Sequence, residues 1–242
     1  MHLSMIDEMH AYNLEEQERK RFTPILEESK LLQQEITTIF KATVDIETDI
    51  ADIANQGDYD LLLVGLGKSI FEGTLLGKVL GFTTRIINPD RLIDKFTGKE
   101  GLFENSPFDE RTRQIISKSK MPLGVLIDKD LQQVKNVFIP IFFAEDTFLM
   151  DYCQKLIYNS NADISVLDIN NLVKSNFVMQ SALQSLEDKY PNNMTLLQER
   201  IMKKEFLTKQ DLMIISLESW KKLVDSQSVW LSNVPSVLIL KP

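Results

Sequence analysis

Short apolar runs alternate with longer amphipathic segments along most of this chain. Residues 123–127, 136–143 and 234–240 are apolar runs of strand length, which is typical of strands buried on both faces of a sheet. Residues 147–157 and 172–190 carry apolar side chains at helical spacing. Strands that alternate with helices predict parallel sheets with right-handed crossover connections.

The first half shows the same alternation less regularly. Residues 22–35 predict a helix with Pro24 in its first turn, and the β-branched run 36–43 predicts a strand. Asp45 is placed to cap the helix that follows. Residues 82–106 contain an Asn-Pro pair and two glycines, and we interpret them as an insertion.

A glycine turn follows the apolar strand that ends at Val64. Gly65 and Gly67 would let the chain turn sharply into a helix, and this corner is the ligand site of doubly wound α/β folds. The following Lys68 and Ser69 complete a Gly-Lys-Ser sequence, which is the end of a P-loop without its first glycine.

This corner is the candidate phosphate site. Its residues are Gly65, Gly67, Lys68, Ser69, Gly73 and Thr74. Backbone amides at a helix N-terminus would hold the phosphate, and Lys68 would add positive charge. The alternative is a tight turn with no ligand, because glycines occur in such turns for conformational reasons alone.

Composition excludes several other functions. The net charge of -8 argues against nucleic acid and against an anionic membrane surface as partners. The single cysteine, Cys153, lies on an apolar helical stripe, which favours a buried core position over a nucleophile. His2 and His10 have no Cys or carboxylate partners at the spacing of a metal site. We therefore expect no catalytic residue and no metal.

Targeting signals are also not evident. The N-terminal residues contain no apolar signal-peptide core, and no window is apolar over the length needed to span a bilayer. We expect a soluble cytoplasmic polypeptide that does not itself insert into the membrane.

Two sequence patterns occur twice. Asp60-Leu-Leu-Leu-Val-Gly recurs as Asp211-Leu-Met-Ile-Ile-Ser, and an apolar-Pro pair precedes a terminal strand at Pro122 and again at Pro235. The second copy begins with a strand and a helix that the first copy lacks. We therefore predict two domains, residues 1–130 and 134–242, of which the first is truncated at its start.

This arrangement resembles the universal stress protein fold. Two copies in tandem, the first with an insertion, are similar to the cytoplasmic C-terminal region of monovalent cation:proton antiporters of the CPA2 type. The resemblance implies two Rossmann-like, adenine nucleotide alpha hydrolase-like parallel-sheet domains. It also implies a non-catalytic regulatory role in a Na⁺ or K⁺/proton antiporter, through dimerisation or a small ligand.

The resemblance implies partners as well. They are the membrane domain of the same antiporter, upstream of Met1, and a second copy in a homodimer, so the chain would be the cytoplasmic domain of an inner-membrane protein. The alternative is a free-standing tandem universal stress protein that binds an adenine nucleotide.

The spacing of the glycines differs from that of the family members that bind a nucleotide. Nucleotide-binding members of the family have Gly-x-x-Gly and a later Gly-Ser or Gly-Thr, whereas this chain has Gly-x-Gly and an early Gly73-Thr74. The corresponding turn of the second half, residues 216–220, has no glycine and carries Glu218, which would repel phosphate. The adenine nucleotide is therefore a candidate ligand of the first half only.

Overall fold

The computed structural model describes residues 2–5, 11–66, 80, 108, 110–197, 203–226 and 231–242. Strands and helices alternate through these residues, with two short 3₁₀ segments at Ala144–Phe148 and Leu231–Asn233. In chain order the elements are β1 (His2–Met5), α1 (Ala11–Leu31), β2 (Phe40–Thr43), α2 (Ile46–Gln56), β3 (Leu62–Leu66), α3 (Glu110–Lys118), β4 (Leu123–Ile127), β5 (Asn136–Ile141), α4 (Leu149–Ser160), β6 (Asp163–Asp168), α5 (Leu172–Ser175), α6 (Phe177–Lys189), β7 (Met194–Leu197), α7 (Lys204–Leu207), β8 (Leu212–Ser216), α8 (Leu217–Asp225) and β9 (Ser236–Lys241).

Seven strands form one sheet in the order β3-β4-β9-β8-β5-β6-β7. All neighbouring strands are parallel except β4 and β9, which are antiparallel. The central strands are buried on both faces, which explains their continuous apolar sequences. The predicted α/β fold class is thereby confirmed.

The antiparallel pair joins the two halves of the chain. Val125 of β4 lies opposite Ile239 of β9, and each of these strands is the last strand of its half. We expected two parallel sheets, one in each half. The structure instead continues one sheet through both, because the two terminal strands offer each other a free edge.

The sequence repeat corresponds to a repeated strand pair. β3 is parallel to β4 with Leu62 opposite Leu123, and β8 is parallel to β9 with Leu212 opposite Ser236. The outer sides of the two pairs differ. All five residues of β8 are buried, and β5 pairs with its other edge. The first four residues of β3 alternate between half-buried and exposed, and only Leu66 is buried. Among the described residues, the only strand neighbour of β3 is β4.

Contacts divide the chain into two compact units. The first is Met1–Asp58 with Arg111–Lys120, and the second is Tyr59–Glu110 with Met121–Pro242. Within the first unit, β1 and β2 form a small parallel sheet. The division at residues 131–133 that the sequence suggests stays a prediction.

Asp45 caps α2 as expected. Its carboxylate accepts a hydrogen bond from the Thr48 amide at 3.0 Å, and Gly57 is the C-cap residue of the helix. Asn55 then joins α2 to the end of α3, donating to the Lys118 carbonyl at 3.1 Å and accepting from the Lys120 amide at 2.8 Å.

Several predicted boundaries were wrong. α1 begins at Ala11 and contains Pro24 in its interior, because the preceding Glu, Gln, Arg and Lys residues favour a helix. The predicted helix 172–190 is two helices, since Asn176 ends α5 and caps α6 through the Met179 amide. The predicted insertion, residues 82–106, lies outside the described residues.

The seam between β4 and its neighbours is tightly packed at Gly124. A Cβ atom there would lie 3.1 Å from Leu63, 3.2 Å from Leu238 and 3.3 Å from Leu240. A Cβ atom at Gly65, in β3, would meet no atom within 4 Å. These two strand glycines therefore form a matched pair for mutagenesis.

We predict that Gly124→Val lowers the free energy of unfolding by about 1–3 kcal/mol, because its branched side chain overpacks three leucines. Gly65→Val should change stability by no more than about 0.5 kcal/mol, since the space is open and valine suits a strand. Urea unfolding followed by circular dichroism measures both values. Equal effects at the two positions would contradict the packing described for β4.

Candidate functional site

The second half has a crevice at the place where open α/β sheets bind ligands. From β5 the chain passes through α4 to β6 on one side, whereas from β8 it passes through α8 to β9 on the other side. The carboxyl ends of such diverging parallel strands are where open α/β sheets bind ligands. A cavity of about 550 Å³ lies at this point.

The cavity wall is mainly apolar. The aromatic and aliphatic side chains that line it are Phe143, Phe148, Leu217, Leu240 and Pro242. Its charged lining residues are three carboxylates and one lysine, namely Glu145, Asp146, Glu218 and Lys241. The lining thus combines an apolar wall with an excess of negative charge.

Asp146 is the central polar residue of the crevice. Its carboxylate is buried, with 1% of the residue exposed. One oxygen accepts hydrogen bonds from the Phe142 amide at 2.8 Å, the Phe143 amide at 3.0 Å and the Ser219 hydroxyl at 2.8 Å. The other oxygen accepts from the Ser216 hydroxyl. A buried carboxylate is stable here because four donors compensate its lost hydration.

A serine side chain already caps the N-terminus of α8. Ser216 is the N-cap residue, and its hydroxyl oxygen accepts the Ser219 amide at 3.2 Å. A phosphate would need these helix N-terminal amides. It would also lie next to Asp146 and Glu218, whose negative charges oppose an anion.

A cation lies beside two adjacent aromatic residues that follow β5, of which Phe143 lines the crevice. The Lys222 ammonium is 4.9 Å from the centroid of the Phe143 ring and 5.8 Å from that of Phe142. Lys221 forms an exposed ion pair with Glu218 at 2.7 Å, which contributes little to stability.

The neighbouring loop is fixed by short polar side chains. Asp168, at the end of β6, accepts the amides of Leu172 at 2.8 Å and Val173 at 2.9 Å. Asn170 donates to the Phe142 carbonyl at 2.7 Å. The Asp168 bonds fix the turn after β6, and the Asn170 bond joins that turn to the residue that follows β5.

The sequence-predicted phosphate site is only partly described. Gly65 lies inside β3 opposite Leu126, so the expected turn at Gly65 is wrong and the strand continues to Leu66. The remaining five candidates, Gly67, Lys68, Ser69, Gly73 and Thr74, lie outside the described residues. Phosphate binding at this corner stays a prediction.

The sequence did not identify Asp146, Ser216 and Ser219 as a group. A serine pair at the start of a helix is a recognisable capping signal. The carboxylate that joins them is 70 residues away from Ser216 along the chain, and no local pattern links the two.

Cys153 has the structural role that its position suggested. It is fully buried, and its thiol donates a hydrogen bond to the Leu149 carbonyl at 3.2 Å. Burial raises the pKa of this thiol, so it is held in the unreactive protonated form.

Neither a metal-binding cluster nor a membrane-spanning helix is found in the described part of the chain. No cluster of three or more His, Cys, Asp or Glu side chains there is placed to hold a metal ion. No described helix has both the length and the apolar character required to cross a membrane.

We predict that Asp146→Ala lowers the free energy of unfolding by roughly 3 kcal/mol, because two backbone amides and two hydroxyls lose their buried acceptor. Asp188→Ala is the control, since Asp188 is exposed on α6 and should change stability by less than about 0.5 kcal/mol. Urea unfolding measures both variants. Similar losses for the two would show that the Asp146 network does not support the fold.

The fold, but not the sequence, is similar to that of known proteins. No model of a known protein family matches the chain, and no curated protein matches it. The crystal structure of the cytoplasmic domain of a prokaryotic cation chloride cotransporter is similar, with a TM-score of 0.51 and 14% identity over 98% of this chain and 82% of that chain.

Two universal stress proteins show a weaker likeness. The protein from Archaeoglobus fulgidus has a TM-score of 0.49 and 10% identity, covering 97% of this chain and 80% of its own. A putative one from Pseudomonas aeruginosa has a TM-score of 0.46 and 11% identity, with coverage of 99% and 81%. The chain thus has an α/β fold with a mostly parallel seven-stranded sheet, similar to that of the cotransporter domain.

Proposed function

We propose that this chain is a non-catalytic regulatory domain of a membrane transporter, and specifically of a Na⁺ or K⁺/proton antiporter. It lies in the cytoplasm, is joined to the membrane domain of the same protein, and acts through dimerisation or a small ligand. The observation that carries the non-catalytic part is the Asp146 network. It occupies the place where α/β enzymes hold phosphate or reactive groups, and it uses the carboxylate and both serines for structure.

The transporter part of the proposal is supported by the likeness to a cotransporter's cytoplasmic domain. That likeness is one of fold, so the antiporter assignment depends also on the sequence resemblance. Regulation would work as a population shift, in which a ligand or neighbouring subunit favours one arrangement of the domain. Such a partner must bind the two arrangements with different affinities, because equal affinity shifts nothing.

A free-standing tandem universal stress protein is the second candidate. Gly65 favours it, because this glycine is the second-last residue of β3, and only Leu66 separates it from Gly67-Lys68-Ser69 in the sequence. Open α/β sheets bind their ligands at the carboxyl ends of the parallel strands. An adenine nucleotide bound there would leave the second-half crevice empty.

The two candidates differ in the size and location of the native protein. An antibody against residues 134–242 should detect a band well above 27.8 kDa in the membrane fraction of the source cells. Carbonate washing should not release it, because a transporter is held by its membrane spans. A soluble band near 27.8 kDa would contradict the transporter proposal and favour the stress protein.

Nucleotide binding provides a separate test. Titration calorimetry with ATP, ADP, AMP and cyclic dinucleotides should give no saturable heat from the second-half crevice, because Asp146 and Glu218 repel phosphate. Binding that Lys68→Ala abolishes and Lys222→Ala preserves would support the stress-protein candidate. Binding that only Lys222→Ala abolishes would show that our description of the crevice is wrong.

A further inference from the structure

The buried Asp146 carboxylate is satisfied by uncharged donors alone. They are the amides of Phe142 and Phe143 and the hydroxyls of Ser216 and Ser219. No lysine or arginine in the described part of the chain forms an ion pair with it. The four donors replace lost hydration but leave a full negative charge in the crevice wall, whereas buried aspartates are usually paired with a cation. A positive group in the crevice would complete such a pair.

Two exposed carboxylates line the same cavity. They are Glu145 and Glu218, and the one cation among the described lining residues is Lys241. Glu218 is engaged on the surface by Lys221, whereas Glu145 forms no ion pair with a described residue. The potential inside the crevice is therefore negative, and its apolar walls strengthen it because they exclude water.

The rest of the wall suits an apolar body. Phe143, Phe148, Leu217 and Leu240 supply aromatic and aliphatic surface. The Phe143 ring also attracts cations, since the Lys222 ammonium lies 4.9 Å from its centroid, and Lys222 is not one of the residues that line the cavity. The cavity volume is within the range of small-molecule sites.

Two other ligand classes fit this lining poorly. An anion such as phosphate meets the negative potential and finds both serine hydroxyls already donating to Asp146. A metal ion needs several oxygen ligands, and no cluster of three or more such side chains occurs in the described residues. What remains is a cation that carries its own apolar surface.

We propose that the crevice binds a small organic cation, whose ammonium or guanidinium group faces Glu145 and Asp146 and whose apolar body lies against Phe143 and Phe148. This inference rests on the proposed function in one respect, because the cation is then the small ligand that regulates the domain. Binding itself depends only on the folded chain and not on attachment to a transporter.

Three probes that share one apolar body test this proposal. Phenylbutylamine, phenylbutanol and phenylbutyrate are titrated at neutral pH into the full chain, and the backbone amide signals of residues 143–148 and 216–218 report binding. The amine should bind about tenfold more tightly than the alcohol, because only its ammonium gains from the negative potential. The carboxylate should bind about tenfold more weakly than the alcohol, for the opposite reason.

Salt and competing ligands sharpen the result. A rise in salt concentration should weaken binding of the amine several-fold and leave the alcohol unchanged. Equal affinities for amine and alcohol would overturn the proposal, as would no response to the amine at about 10 mM. Tighter binding of adenosine than of the amine would also overturn it, since the crevice would then select a neutral base.

Glu145→Gln and Glu187→Gln form a matched pair of variants. Both glutamates are exposed, but Glu145 lines the crevice whereas Glu187 lies on α6, outside it. Glu145→Gln should weaken the amine about fivefold without affecting the alcohol, and Glu187→Gln should change neither. Equal effects of the two variants on the amine would contradict a site at Glu145.

This inference and the proposed function can fail separately. Selective binding of the amine to a protein that is soluble in the source cells would keep the cation site and remove the transporter. A membrane-bound transporter whose crevice does not distinguish the three probes would keep the transporter and remove the cation site.

Discussion

The antiparallel pairing of β4 with β9 is the interaction on which the rest of the sheet depends. It is the one reversal of direction in the seven-stranded sheet, and it joins the last strand of one half to the last strand of the other. Gly124 lets Leu63, Leu238 and Leu240 approach closely at this seam. Without the pair, β3 and β4 would form a two-stranded remnant, which is too small to be stable alone.

Three polar residues at the carboxyl edge of this sheet decide which ligands the crevice can bind. The strand order places a crevice at the carboxyl ends of β5 and β8. Here Asp146, Ser216 and Ser219 satisfy one another across that crevice. The hydrogen bonds join the end of β8 to the segment that follows β5. Because the two serine hydroxyls donate to Asp146, they are not available to donate to an anionic ligand. These structural roles of Asp146 and the two serines are the basis of the non-catalytic part of our proposal.

Sequence patterns correctly predicted features that depend on neighbouring residues in the chain. The bounds of β4 and the Asp45 cap were correct, because buried parallel strands and helix caps have strong local signals. The continuous sheet was not foreseen, since either terminal strand could equally have remained an edge. The Asp146 network was also missed, because it joins residues far apart in the chain. The interior position of Pro24 shows that helix-favouring neighbours can outweigh one proline.

The most direct test of this account is nuclear magnetic resonance of the β4–β9 pair. In the observed antiparallel register, Val125 of β4 lies opposite Ile239 of β9. The account therefore predicts nuclear Overhauser contacts between Hα atoms of the two strands at every second residue pair. A sample that mixes labelled and unlabelled chains shows whether these contacts lie within one molecule. Contacts within one molecule support two joined halves. Contacts found only between molecules, or a parallel register, would contradict the single sheet that joins the two halves.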